Sequence, residues 1–324
     1  MGGEKILILE IDKKIKEKLK ELHLKPEVSP KKFLQKYKTG KHRYFSPCFK
    51  KEKEVVAFYA RLHDNLDAKQ KFLNEVRFLK ELKKSNLRIK EIVPEILSSG
   101  VEKDFEWFER EYPPPPPLGK SRKASSPLSP LIIDKIVKAI VEISRINPKK
   151  FPKIKFKKFN PRNYLAEGTY ENLVKRRIIS REISHKIARM IKNKMGLLEK
   201  ENHYFSHGDL NLGNILSNGE NIRIIDWELV HLNNFAYDIG YLWAHLWEAK
   251  RDLRNRLMAS YLKRLSPSQL TKFKKLLPVV ASYLSLGGIK YKKRREKIKI
   301  LEKRRVFYLK LLKNCLDFKR LIKV

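Results

Sequence analysis

The segment His207-Gly208-Asp209-Leu210-Asn211-Leu212-Gly213-Asn214, with Asp226 closing an apolar strand, constrains this chain more than any other stretch. An asparagine follows Asp209 by five residues, and a second aspartate follows that asparagine by twelve. Between them, Ile215-Leu216 and Ile222-Arg223-Ile224-Ile225 flank Ser217-Asn218-Gly219-Glu220-Asn221, and an Asn-Gly turn between apolar runs predicts a hairpin. A loop, a short hairpin and an aspartate at the strand end would gather Asp209, Asn214 and Asp226 around one site. Asp209 is the candidate base that orients a hydroxyl and accepts its proton, with Asn214 and Asp226 as candidate magnesium ligands. Those are the parts that phosphoryl transfer from a magnesium nucleotide requires. The competing reading is a polar loop beside a buried, hydrogen-bonded aspartate.

Charge supports the first reading. The chain of 324 residues carries 74 Lys and Arg against 36 Asp and Glu, a net +38. Between Glu201 and Ala249, however, Arg223 stands alone against seven acidic residues. A hard divalent cation needs carboxylate oxygens for which ammonium groups would compete, so a lysine-free stretch suits a magnesium site. Burial excludes lysine as well, and the two explanations are compatible. The excess elsewhere raises nucleic acid or an anionic surface as a partner, through runs such as Lys155-Phe156-Lys157-Lys158-Phe159 and Lys292-Lys293-Arg294-Arg295. Because the charge is spread over most of the chain, general surface basicity is the preferred reading, and dedicated nucleic-acid binding is not favoured.

Cys48 and Cys315 are the only cysteines, which implies neither a disulfide framework nor a cysteine metal site. The N-terminal residues carry no signal-peptide cleavage pattern. The longest uncharged apolar stretch, Leu276–Ile289, is too short to span a bilayer and contains Pro278. A cytoplasmic protein is the expectation.

Residues 1–112 read as a mixed strand and helix lobe. Val55 to His63 alternates as a strand, with Val56, Phe58, Ala60 and Leu62 on one face and Tyr59, Arg61 and His63 on the other. A helix follows, with Asp67 as a plausible N-cap, Gln70 three residues on, and Phe72, Val76, Leu79 and Leu82 at helical spacing. Residues 113–130 read as a hinge and linker: five prolines favour an extended segment, and the small and basic residues after them are expected to be mobile. Residues 131–324 read as mainly helical, interrupted by the Asp209–Asp226 region and ending in a basic helix with Leu301, Tyr308, Leu312 and Cys315 as its apolar stripe. Leu118-Gly119-Lys120-Ser121 imitates the end of a phosphate-binding P-loop, but the prolines before it lack the N–H groups such a loop points at phosphates.

The segments HGDLNLGNIL and IIDWE resemble the two signature segments of the aminoglycoside phosphotransferase and choline kinase-like family. The resemblance implies an α+β, protein kinase-like, two-lobed fold, with a small sheet-plus-helix lobe, a hinge and a larger helical lobe. It implies transfer of the γ-phosphate of ATP, sometimes GTP, to a small hydroxylated molecule with Mg2+. It also implies that His207 braces the catalytic loop by hydrogen bonding and that Asp238 holds that loop. The match covers the catalytic core and, more loosely, the N-terminal lobe; the C-terminal third matches in being helical. Protein kinases differ from this chain at informative points. Asp226-Trp227-Glu228 replaces D-F-G, no A-P-E segment follows, and Tyr237-Asp238-Ile239-Gly240 leads directly into an aromatic helix. Those differences favour a small-molecule acceptor.

Kinase-like enzymes hold the nucleotide phosphates with a strand lysine paired to a helix glutamate. Glu75 is the glutamate. The lysine position falls on Arg61, or on Tyr59 with a different anchor, and Arg61 is preferred because guanidinium binds phosphate bidentately. The phosphate-covering loop is expected around Gly40, and Glu111-Tyr112 is the expected adenine-reading hinge. The absent lysine and sparse glycine loop keep a catalytically inactive kinase-like binding protein as the rival. His203 and His207 are four apart, but no paired ligand or general-base glutamate supports zinc there. Trp227, Trp243 and Trp247 are read as core before acceptor pocket.

Overall fold

The computed structural model describes residues 2–29, 43–50, 54–62, 66–112, 116–154, 156–165, 168–290 and 298–324. They divide into two compact units, Met1–Pro114 and Pro115–Val324.

In the first unit a helix α1 (Gly2–Glu21) leads into β1 (Leu24–Pro26), β2 (Arg43–Lys50) and β3 (Glu54–Leu62). Helix α2 (Leu66–Lys84) follows, then β4 (Ile96–Val101) and β5 (Phe105–Glu111). The strands form one antiparallel sheet in the order β1-β2-β3-β5-β4. The alternation read along β3 sets its faces. Val56, Phe58 and Ala60 join Ile15 and Leu19 of α1, Tyr44, Cys48, Phe105 and Trp107 in one buried cluster. Such burial is worth roughly 1.5–3 kcal/mol for each large apolar side chain, so α1 and the sheet stabilise each other. In α2, Val76, Phe78, Leu79 and Leu82 are buried at helical spacing.

The second unit opens with a hairpin where the sequence suggested a mobile linker. Strands β6 (Gly119–Lys120) and β7 (Lys123–Ala124) pair antiparallel. The segment is fixed at both sides: Leu118 N donates to Ile215 O at 2.8 Å, and Ser217 N donates to Pro116 O at 3.2 Å. Arg122 forms an ion pair with Glu248 at 2.9 Å, and its guanidinium lies 5.8 Å from the Trp247 ring centroid. Backbone pairing and a half-buried ion pair override the local preference of small, basic residues for disorder.

Helix α3 (Pro130–Ser144) starts where its chemistry dictates: the Ser129 hydroxyl accepts from Ile132 N at 3.2 Å, and Pro130 occupies the first turn. After the short strand β8 (Lys157–Lys158) come α4 (Thr169–Lys175), α5 (Arg181–Lys192) and α6 (Met195–Lys200). Strand β9 (Tyr204–Ser206), the hairpin β10 (Ile215–Ser217) and β11 (Ile222–Ile224), and β12 (His231–Asn233) follow. Strand β12 pairs with both β8 and β9. The chain ends in helices α7 (Tyr237–His245), α8 (Arg251–Leu262), α9 (Pro267–Lys290), α10 (Ile298–Asn314) and α11 (Phe318–Leu321). A Cβ on Gly240 would lie 2.9 Å from Val280, so glycine is what lets α7 approach α9. Of the stripe expected on the last long helix, Tyr308 and Leu312 are buried. Leu301 is half-buried, and Cys315 is buried just beyond the helix end. Among the described residues, no helix is long and apolar enough to cross a membrane.

Candidate active site

The loop 207–214 joins β9 to β10 and is pinned by alternate residues. Leu210 and Leu212 are fully buried, which leaves Asp209, Gly213 and Asn214 half-buried on the other side of the chain. The start of the loop is held from α7. Asp238, in that helix's first turn, accepts from Ser206 Oγ at 2.7 Å, His207 N at 2.8 Å and Gly208 N at 3.2 Å. Gly208 has φ +85°, and a Cβ there would lie 2.3 Å from Leu229 O and 2.9 Å from His231 Nδ1. Both conformation and space therefore demand glycine.

His207 is completely buried and spans the site. Its Nε2 donates to Ile225 O at 3.1 Å, its Nδ1 accepts from Asp209 N at 3.3 Å, and its ring lies 4.6 Å from that of Trp227. The imidazole thus links the residue before Asp226 to Asp209 itself, as a neutral tautomer with one donor and one acceptor. Burial draws its pKa below the ordinary value, against the opposing pull of the Asp238 and Asp209 carboxylates. His203 does not join it; it is exposed and bonded to Lys200 O at 2.9 Å.

Asp209 and Asn214 are brought into contact. Asn214 Nδ2 donates to Asp209 O at 2.9 Å and to Asp209 Oδ2 at 3.3 Å. With its nitrogen engaged, the amide oxygen of Asn214 is the group left to face a cation. Asn211, a residue given no role from sequence, donates from Nδ2 to Asp209 O and Oδ1, while its Oδ1 accepts from Gly213 N at 2.9 Å. Asn214 O in turn accepts from Ile225 N at 3.0 Å, coupling the loop to the strand that carries Asp226. Asp226 has φ +69°, a left-handed conformation uncommon outside glycine and concentrated at functional sites. Trp227 next to it is fully buried, with Nε1 donating to Ile224 O at 2.8 Å. Trp243 is also core, and Trp247 is half-buried against Arg122.

A further residue missed from sequence is Tyr241, whose hydroxyl donates to Asp209 Oδ1 at 2.5 Å. A signal for it exists. Tyr241 lies three residues after Asp238 on a helix, so the two side chains share one face.

In the first unit, Arg61 and Glu75 are both buried, at 7% and 8% exposure. Opposite Arg61 in the β3–β5 register stands Glu106, wholly buried, which places an acidic partner directly across the sheet. Glu111 closes β5, and its Oε2 accepts from Glu95 N at 3.1 Å; Tyr112 follows it, 37% exposed. Gly40 lies outside the described residues.

The model of a phosphotransferase enzyme family matches residues 49–271 of the chain. The protein belongs to the phosphotransferase enzyme family. No curated protein sequence matches it. Solved structures similar to this family member include the amicoumacin kinase hAmiN in complex with AMP-PNP, Ca2+ and Ami, with 12% identity and a TM-score of 0.55 over 85% of this chain and 86% of that one. The GDP complex of wild-type aminoglycoside 2'-phosphotransferase-IIIa has 14% identity and a TM-score of 0.57 over 85% and 90%. A choline/ethanolamine kinase family protein from Mesorhizobium loti has 14% identity and a TM-score of 0.52 over 88% and 92%. The fold of this phosphotransferase family member is accordingly α+β and protein kinase-like.

One buried and two half-buried histidines give the phosphotransferase a distinctive acid response. Burial lowers the pKa of His207, His231 and His245. Below about pH 6.5 the unfolded chain binds protons that these folded imidazoles refuse. Stability is therefore fully present above that pH and falls as pH drops, with a slope of up to about 1.4 kcal/mol per pH unit for each histidine that stays neutral. Denaturant unfolding between pH 7.5 and 5.5 measures this, and a flat profile would contradict it.

Proposed function

We propose that this protein is a divalent-metal-dependent phosphotransferase that moves the γ-phosphoryl group of ATP or GTP to a hydroxyl of a small molecule. The observation that carries the reading is the Asp209 carboxylate, held half-exposed by Asn211, Asn214 and Tyr241, with a left-handed Asp226 following Ile225, which bonds both His207 and Asn214. In this reading Asp209 orients the acceptor hydroxyl and takes its proton, and His207 braces the loop.

The residues present fit Mg2+. Asn214 and Asp226 offer hard oxygen donors, and magnesium needs only one or two such ligands beside water and substrate phosphates. Among the described residues, no group of three or more His, Cys, Asp or Glu side chains gathers to hold a metal. When bound, the cation would neutralise charge on the β- and γ-phosphate oxygens.

Residues 1–112 are assigned the nucleotide, with Arg61 and Glu75 for its phosphates, Gly40 in the covering loop and Glu111-Tyr112 reading the base. Residues 113–130 then form the connection, and 131–324 carry catalysis and the acceptor. The AMP-PNP and GDP in the similar structures support a nucleotide donor without choosing between adenine and guanine. The direct passage from β12 into α7, with no A-P-E segment, supports a small acceptor.

The test is nucleotide binding with and without Mg2+, followed by phosphorylation of a panel of small alcohols, amino sugars and nucleosides. Expected are metal-dependent binding of ATP or GTP and transfer to at least one acceptor. Metal-dependent binding with neither transfer nor slow nucleotide hydrolysis would establish the inactive rival instead.

A further inference from the structure

The carboxylate of Asp209 is not symmetrical in its surroundings. Its Oδ1 accepts two donors, Tyr241 Oη at 2.5 Å and Asn211 Nδ2 at 3.2 Å. Its Oδ2 accepts one, Asn214 Nδ2 at 3.3 Å. A carboxylate oxygen takes about two hydrogen bonds in its plane, so among the described residues Oδ1 is filled and Oδ2 retains one position. We propose that Tyr241 is a positioning residue for Asp209: by saturating Oδ1 it fixes the carboxylate plane and assigns Oδ2 alone to the acceptor hydroxyl. The proposal rests on the phosphotransferase reading above.

The tyrosine is built for that task. Its bond to Asp209 is the shortest of the three at the carboxylate, in the range of charge-assisted O–H···O⁻ bonds, which are roughly twice as strong as neutral ones. The two asparagine contacts are long and come from the same loop as Asp209, so they would move with it. Tyr241 comes from α7, which is tied to that loop one helical turn earlier by the three bonds to Asp238. One rigid helix therefore sets both the backbone of the loop and the direction of its carboxylate. The ring itself is clamped. It stacks on His245 with centroids 3.9 Å apart and planes at 21°, and His245 Nδ1 bonds Tyr241 O at 2.9 Å. Burial, then the charge of Asp209, pushes the phenol pKa well up, so the hydroxyl stays a donor across the working pH range.

During transfer the acceptor oxygen forms its bond to the γ-phosphorus as the bridging oxygen bond breaks. The hydroxyl proton passes to Asp209 Oδ2, and the nucleoside diphosphate leaves. Tyr241 neither gains nor loses a proton. Its effect is confined to the angle at which Oδ2 meets the hydroxyl, a kind of misplacement that costs about 10- to 100-fold in rate.

Tyr241→Phe tests this, since phenylalanine keeps the ring and its stack on His245. The expected result is a kcat lower by about 10- to 100-fold, with acceptor KM and nucleotide Kd within about twofold of wild type. The same substitution made in Asp209→Asn should change kcat by less than about twofold, because the group it acts through is gone. Unchanged kcat in Tyr241→Phe overturns the proposal, as does an undiminished loss in the Asp209→Asn background. A double-mutant cycle of Tyr241→Phe with Asp209→Ala, which leaves the tyrosine no acceptor, reads the contact in unfolding free energy apart from activity, and zero coupling there also overturns the proposal. If wild-type protein transfers phosphate to no acceptor and hydrolyses no nucleotide, the functional reading fails, even where the cycle shows the contact.

Discussion

Asp209→Asn is expected to lower turnover by about 10² to 10⁴ while leaving nucleotide affinity within a few fold of wild type. The substitution keeps size and shape but removes the only feature that matters to a hydroxyl, the ability to accept its proton. An amide oxygen at the Oδ1 position can still receive Tyr241 and Asn211. The amide nitrogen would then replace Oδ2 and face Asn214 Nδ2, a donor against a donor where 3.3 Å now separates donor from acceptor. The site should therefore stay folded with one weak bond lost and the chemistry gone. Steady-state kinetics with calorimetric titration of the nucleotide separates the two effects. Turnover equal to wild type would remove Asp209 from the chemistry.

Asp238→Ala should have the second largest effect, and it should fall on stability as well as rate. The carboxylate is 5% exposed and receives one hydroxyl and two backbone N–H donors. Alanine leaves all three without an acceptor, and each buried orphan costs about 1–3 kcal/mol. Partial relaxation and water entry make the sum less than additive, so a loss of about 3–5 kcal/mol in unfolding free energy is expected. Because the same donors place residues 206–208, turnover should fall by at least about 10²-fold even in the folded fraction. Urea unfolding monitored alongside activity is the measurement. A variant as stable and as active as wild type would mean that the loop holds its shape without α7.

Local chemistry made much of this site legible. The β10–β11 hairpin sits where Asn218-Gly219 predicted it, with Gly219 at φ +94°. The strand carrying Arg61 and the helix carrying Glu75 also follow from periodicity, because one face of each must be buried. What could not be read is pairing between distant segments. Nothing near Arg61 announces Glu106, which reaches it only through the register of β3 on β5. Nothing near Asp209 announces Tyr241, thirty-two residues later, until the anchoring Asp238 is known to lie in the first turn of α7. The hairpin over 118–124 was unreadable for the same reason: its residues favour mobility, but its partners Ile215, Trp247 and Glu248 lie about a hundred residues away. Arg304 shows the reverse, a buried cation at helical spacing from Leu301 and Tyr308, where the stripe calls for an apolar residue.

Gly208 carries one more implication. The room that any side chain at 208 would occupy is already held by Leu229 O and the His231 ring, both from the stretch that follows Asp226. The loop bearing Asp209 and the segment behind Asp226 are thus keyed into each other, like two halves of a lock cut to one profile. A side chain introduced at 208 would therefore displace the segment behind Asp226 as well as the loop that carries Asp209.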